Sequence, residues 1–467
     1  MSLLKSSLSA LVTVIALAPT VAFAGPGDHI KVAGGELIPA VSFNTTWRSN
    51  NYLTPGAAFS SEERYRTLPG VSLSVSPSLK LKTRSRYLNV DAMAIYEARK
   101  FLKEELTNLD RFNNVNLGIQ TVILPEAVVG AKLSTNLRIT GRESEAVNSD
   151  DAYLQQTTSK TAASVTVRPG SSLEIDVGGT FDLRDVKTPQ PLDGTSSYSL
   201  NSSQGYGFLG NLTWKFFPKT ALVATVERSY FDWENNTTVL YDRADGPVDP
   251  NRFPGVLPFV LEEGTQGLLY VPDGKLFRAE GGIRGRFTDK VIIGAVIGAT
   301  RIIYDEKLDG SFTKEDRANG CDVPTRGTKA TVADDLVGLP CTLSGNLEVG
   351  YDIAKDQRLV IGFLREHQDV FFTNYLSMNR SYVTFSGRIG DRVKPTVGME
   401  LNNQEYHGQV ERTDQWFRTK ADFSFHTAPW LDVTTGLWYT GRRSVDGEFG
   451  EVEYDDINVH AGLIFSY

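Results

Sequence analysis

The feature that most constrains this chain is an apolar–polar alternation that recurs from Val41 to Tyr467. Val41, Phe43, Thr45 and Trp47 interleave with Ser42, Asn44, Thr46 and Arg48. Leu173, Ile175, Val177, Phe181 and Leu183 interleave with Glu174, Asp176, Thr180 and Asp182. Phe277, Ala279, Ile283 and Phe287 do the same with Arg278, Glu280, Arg284 and Arg286, and the pattern returns over 419–426 and 457–467. A period of two places successive side chains on opposite faces of a strand. Strands of soluble sandwiches average ~5–6 residues. These runs are roughly 10–12 residues, the length of a tilted strand that crosses a bilayer. Their polar face carries whole sets of charges, which a barrel would turn toward an aqueous lumen while its apolar face met lipid.

Connections rich in turn-forming residues alternate with long ones. The short ones are 82–86, 124–126, 169–171, 217–219, 288–290, 354–356, 390–392 and 428–430. The long ones are 49–67, 98–112, 142–158, 185–203, 232–273, 305–343, 370–378, 403–412 and 442–453. Together they join about 18 strands, an even number with both ends on the short-turn side, as in bacterial outer-membrane barrels. The expected fold is all-β: a transmembrane outer-membrane up-and-down β-barrel of about 18 antiparallel strands. It would occupy residues 25–467 as one domain, with long extracellular loops and short periplasmic turns. The chain ends Phe465-Ser466-Tyr467, an aromatic end of the kind recognised by the barrel-assembly machinery.

Residues 1–24 have the layout of a secretory signal peptide: Lys5, an apolar run over 8–18, and Ala22-Phe23-Ala24 before Gly25. Export leads to an oxidising compartment. The two cysteines, Cys321 and Cys341, lie in one polar stretch and most simply form a disulfide that closes a surface loop. The net charge of −8 disfavours a nucleic-acid partner.

Nothing in the sequence calls for catalysis, a metal or a cofactor. The five histidines, His29, His367, His407, His426 and His460, are scattered. No HExxH, GxSxG or GxxxxGK[ST] motif occurs. The glycine-rich run 281–285 sits in mid-strand, where small residues would lie beneath crowded lumen side chains. The pairs Asp150-Asp151, Asp334-Asp335 and Asp455-Asp456 fall in loops or at their rims and suit a solvated acidic surface.

The alternation assigns an inward face to Arg138, Glu174, Asp176, Arg278, Glu280, Arg284, Arg286, Glu348, Asp352, Arg358, Arg418, Lys420 and Trp438. Two readings of these pore-lining residues stand. They are an ion-pair lattice that lets a polar wall fold, or a hydrophilic track for a polar cargo. Tyr382 and Trp438 face inward on the same register, where rings can stack on sugars or pack under a loop. The longest loop contains an apolar segment, 253–261. Its Phe253, Val256, Leu257 and Phe259 are expected to fold back into the mouth or to pack on another loop, because a free loop would expose them as a patch; the segment is one candidate gate and a periplasmic partner is the other.

Ser49-Asn50-Asn51-Tyr52, the stretch 72–79 that feeds the first short turn, the terminal aromatic strand and the regular hairpins resemble the β-barrel porin 2 family. The similarity covers most of the mature chain. Members include outer-membrane barrels encoded with polysaccharide export systems. The resemblance implies a conduit for an exopolysaccharide or capsule that works with a periplasmic polysaccharide export protein. A diffusion porin for small polar solutes and a surface-interaction barrel are the alternatives. Outer-membrane lipid and the assembly machinery are partners on any of the three.

Overall fold

The computed structural model describes residues 29–32, 34–51, 69–104, 106, 110, 113–143, 153–187, 199–233, 238–241, 267–269, 274–304, 343–369, 375–407, 412–447 and 453–467. The strands are β1 (Ile30–Val32), β2 (Gly35–Arg48), β3 (Gly70–Arg84), β4 (Leu88–Phe101), β5 (Asn114–Ile123), β6 (Val129–Glu143) and β7 (Tyr153–Val167). Next come β8 (Leu173–Lys187), β9 (Ser199–Phe217), β10 (Thr220–Trp233), β11 (Thr238–Tyr241), β12 (Gly267–Leu269), β13 (Gly274–Arg286) and β14 (Val291–Tyr304). The chain finishes with β15 (Leu343–Ala354), β16 (Gln357–Asp369), β17 (Tyr375–Gly387), β18 (Val393–His407), β19 (Arg412–Ala428), β20 (Leu431–Gly447) and β21 (Glu453–Ser466).

Eighteen of these, β2–β10 and β13–β21, form one closed antiparallel barrel. Each pairs with its neighbour along the wall, and β10 pairs directly with β13. Closure comes from β2 against β21, from Ala40 opposite Ser466 to Arg48 opposite Asn458. Closure leaves no unpaired edge, which is what lets a sheet cross lipid. The short strand β1 folds back on β2, and β11 with β12 forms a separate ribbon. The expected all-β barrel and its strand number agree with this architecture.

The alternation explains the two faces. Val177, Ile297 and Phe208 point outward and are 64%, 65% and 69% exposed. In a water-soluble protein such side chains would be inside; on a barrel they form the surface that meets lipid. Aromatic side chains mark both ends of the belt. Trp214, Phe217, Trp430 and Phe465 lie toward the short turns, with Trp430 and Phe465 stacked at 5.9 Å. Trp47, Tyr96 and the stacked pair Tyr206–Tyr230 lie toward the long connections.

Several strands outrun the alternation. β19 and β20 are each 17 residues long and β9 is 19, beyond the length a bilayer crossing needs. Past the lipid belt neither face must be apolar, but the backbone N–H and C=O groups still need partners, so the ladder continues. The expected loops 403–412 and 442–453 are therefore partly wall. This corrects the reading of Asp456 as a solvated acid, whereas Asp455 is exposed as expected. Both lie in β21, and Asp456 is buried against Arg48.

The glycine-rich run of β13 also has a different cause from the expected one. A methyl group on Gly282 would run into the Ala295 carbonyl of β14, so close backbone approach excludes a side chain there. Crowding by lumen side chains operates elsewhere, at Gly436, which lies beneath Asp422 and the His460 ring. The signal segment 1–24, Cys321, Cys341, Phe253, Val256, Leu257, Phe259 and the pairs Asp150-Asp151 and Asp334-Asp335 lie outside the described residues.

Candidate functional site: a polar lumen filled at one end

The inner wall is a lattice of paired charges. Lys132 Nζ bridges Glu174 Oε1 at 2.7 Å and Asp176 Oδ2 at 2.9 Å. Arg168 Nε meets Glu174 Oε2 at 3.0 Å, and Thr166 Oγ1 donates to Asp176. Across the wall Asp352 takes Arg286 Nη2 at 2.9 Å and Arg358 Nε at 2.7 Å. Arg278 lies 3.7 Å from Glu227 and 3.8 Å from Glu280. Arg380 pairs with Glu400 at 2.9 Å, and Tyr382 OH donates to Glu348 at 2.8 Å. Trp438 Nε1 donates to Asp422 Oδ1 at 2.6 Å.

The remaining inward candidates stand in the same wall by register. Arg138 is opposite Asn116, Arg284 opposite Gly294, Arg418 opposite Glu400 and Lys420 opposite Trp438. His426 and His460 also face inward, beside Asp432 at 2.8 Å and Asp422 at 3.5 Å. His367 instead lies near the loop end of β16, buried, with Nδ1 2.9 Å from Ser377 Oγ.

Solvation divides this lumen along its axis. At the short-turn end the Arg358 and His426 side chains are 45% and 43% exposed. At the loop end the inward Ser72, Phe101, Tyr406, Asp414, Arg442, Tyr454 and Asp456 are all buried. Part of the filling is visible. Asn51, at the exit of β2, and Leu106, in the connection from β4 to β5, are both 0% exposed. They lie against Gly70 on the inner face of β3, where an added methyl would strike Leu106 Cδ1. The Phe101 N–H donates to Asp110 Oδ1 at 2.6 Å and ties that connection to the wall. Asp456 does the same for the exit of β2, accepting from Arg48 Nη2 at 2.7 Å and from the Asn50 N–H at 3.1 Å.

The sequence reading does not find the centre of this filled end. Arg442 Nε donates to Asp414 Oδ2 at 3.1 Å, and Ser444 Oγ donates to Asp414 Oδ1 at 2.7 Å. The Arg442 guanidinium sits 4.5 Å from the centre of the Trp416 ring, and Trp416 meets Tyr454 edge-on at 6.3 Å. Counting upward in twos from Asp422 reaches Trp416 and Asp414, and from Trp438 it reaches Arg442 and Ser444. Such a count rests on the register of the belt alone, because the residues beyond the belt no longer alternate.

No family model and no curated protein matches the chain. Solved structures of outer-membrane proteins resemble it in shape. The siderophore receptor PirA of Acinetobacter baumannii aligns over 94% of this chain and 81% of its own, at 9% identity and a TM-score of 0.44. The ferric enterobactin receptor PfeA of Pseudomonas aeruginosa aligns over 94% and 82%, at 6% identity and a TM-score of 0.45. The outer membrane protein OpdK of Pseudomonas aeruginosa aligns over 92% and 99%, at 9% identity and a TM-score of 0.43. The likeness is one of architecture and carries no ligand over to this chain.

Proposed function

We propose that this chain is an outer-membrane channel that passes a secreted polysaccharide outward, with the short turns in the periplasm. The observation that supports this most is the one-sided lumen, a wall of paired charges that is solvated at the short-turn end and filled at the loop end. A wall whose charges are already paired neither traps nor strongly repels a neutral or weakly charged chain. The inward rings of Tyr382 and Trp438 stand on β17 and β20, where flat faces can meet sugars. A filled mouth suits a conduit that opens when loaded, whereas a general porin is a water-filled channel. The resemblance to the β-barrel porin 2 family points the same way and makes a periplasmic export protein the natural partner. The sequence has no P-loop, so the polymer is driven by synthesis or by other machinery.

Deletion of the gene, with complementation by the full chain, tests this reading. Surface polysaccharide should be lost while uptake of small polar solutes stays normal. The full chain in planar bilayers should show little conductance. Intact surface polysaccharide together with impaired solute uptake would replace polymer export with the diffusion-porin reading.

A further inference from the structure

The outer wall is not apolar throughout. Across β9, β10, β13 and β14 the register sets Phe208, Arg228, Phe277 and Arg301 in one row on the lipid-facing side. The row nearer the loops holds Tyr206, Tyr230, Lys275 and Ile303. The row nearer the short turns holds Gly210, Val226, Ala279 and Ala299, and is apolar. Two guanidiniums therefore stand on the upper border of the apolar belt, flanked by Phe208 and Phe277, which are 69% and 46% exposed. Two strand spacings put their backbones about 10 Å apart.

Both arginines are exposed, and among the described residues neither has an ion-pair partner. Asp232, the outward carboxylate one position pair beyond Tyr230, pairs with neither of them. The Arg228 guanidinium lies 5.1 Å from the centre of the Tyr230 ring, so this side chain is turned toward the loop end, as a cation does when it leaves hydrocarbon for a polar boundary. Other outward arginines are satisfied by the protein. Arg443 pairs with Glu453 at 3.2 Å, and Arg365 donates to Leu343 O at 2.9 Å and to Asn379 Oδ1 at 2.7 Å. The charges of Arg228 and Arg301 must be met from outside. At the polar boundary of a bilayer the matching group is a phosphate ester, which the guanidinium fork grips with two parallel hydrogen bonds.

We infer that Arg228 and Arg301 form a lipid site on the outer wall that clamps the phosphate of a phosphorylated glycolipid in the outer leaflet. Phe208 and Phe277 lie against its acyl chains, and Tyr206 and Tyr230 sit at the headgroup boundary. The site depends on the loop end facing the cell exterior and is independent of the cargo.

Native mass spectrometry of the full chain in detergent, with added bisphosphorylated lipid A, tests the site. The wild type should retain lipid A, and dephosphorylated lipid A should bind at least about tenfold more weakly, because it lacks the charge-assisted contacts. The double variant Arg228→Gln/Arg301→Gln should lose retention by a similar factor, and Arg228→Lys/Arg301→Lys should recover part of it. Phosphatidylglycerol and inorganic phosphate at the same concentration should not displace the glycolipid. Undiminished retention by the glutamine variant, equal binding of the dephosphorylated lipid, or equal competition by phosphatidylglycerol would each overturn the proposal. Heat-dependent migration on gels reports whether each variant is folded. Should the glutamine variant fail to fold, the wild-type competition series decides alone.

Discussion

Arg442 and Asp414 meet on the inner wall near the loop end, Nε to Oδ2 at 3.1 Å, and both side chains are buried. Removing one partner of such a pair leaves an uncompensated charge and costs about 3–5 kcal/mol, whereas replacing both with apolar groups is often close to neutral. Arg442→Leu should therefore lower the unfolding temperature of the barrel in detergent more than Arg442→Leu combined with Asp414→Leu. Heat-dependent gel migration measures both. A double variant as unstable as the single one would place the cost in lost packing on Trp416, which the Arg442 guanidinium covers at 4.5 Å.

The same pair marks where the sequence stops being legible. In the lipid belt one face must be apolar, so Phe423 and Phe425 beside Asp422 and Ser424 settle both strand and register. Above the belt that requirement ends. Arg412, Thr413, Asp414 and Gln415 are polar on both faces, so the alternation vanishes while the strand goes on. Arg442 and Asp456 are hidden for the same reason. The inward charges of the belt, from Glu174 to Arg358, are legible, but their partners are not. Lys132 and Glu174 are 42 positions apart, and only the register of β6, β7 and β8 brings them together. Arg228 and Arg301 are charges on the apolar face, and their meaning depends on their height in the wall.

The two faces predict opposite tolerance of charge. Val177 points into lipid, while Asn136 faces the lumen opposite Gly118 and Lys160. Val177→Lys should cost about 2–4 kcal/mol if it sits near the bilayer midplane, and Asn136→Lys much less, since water is within reach. Asp176 is a poor site for the comparison, because it is already held by Lys132 and Thr166. Urea unfolding in lipid vesicles gives both costs. Similar values would mean that the assigned faces are exchanged or that the lumen is dry.

Asp352 offers a test of the solvated end. It balances Arg286 and Arg358. Asp352→Asn leaves two guanidiniums without their carboxylate, and fixed charge at a pore wall biases which ions pass. Under a salt gradient the reversal potential of the open channel should move toward anion preference. An unmoved potential would place these three residues off the conduction path.

The mouth itself can be opened. Leu106 and Asn51 are buried against the inner face of β3, and the Phe101 N–H anchors Asp110. Leu106, Asn51 and Asp110 belong to connections rather than to the wall ladder, so the barrel should assemble without this arrangement. Replacing 103–112 by a short turn should raise single-channel conductance in planar bilayers and sensitise cells to bulky antibiotics, with gel migration unchanged. Deleting 250–262, the segment with Phe253 and Phe259, is the parallel arm. If that deletion raises conductance and the shorter β4–β5 connection does not, Leu106 only braces the rim and the gate belongs to the longest loop. If each change has a partial effect and the two together a full one, the mouth is closed jointly. If neither raises conductance, the closure lies on the periplasmic side, and adding or removing the export partner is then the variable that should change surface polysaccharide.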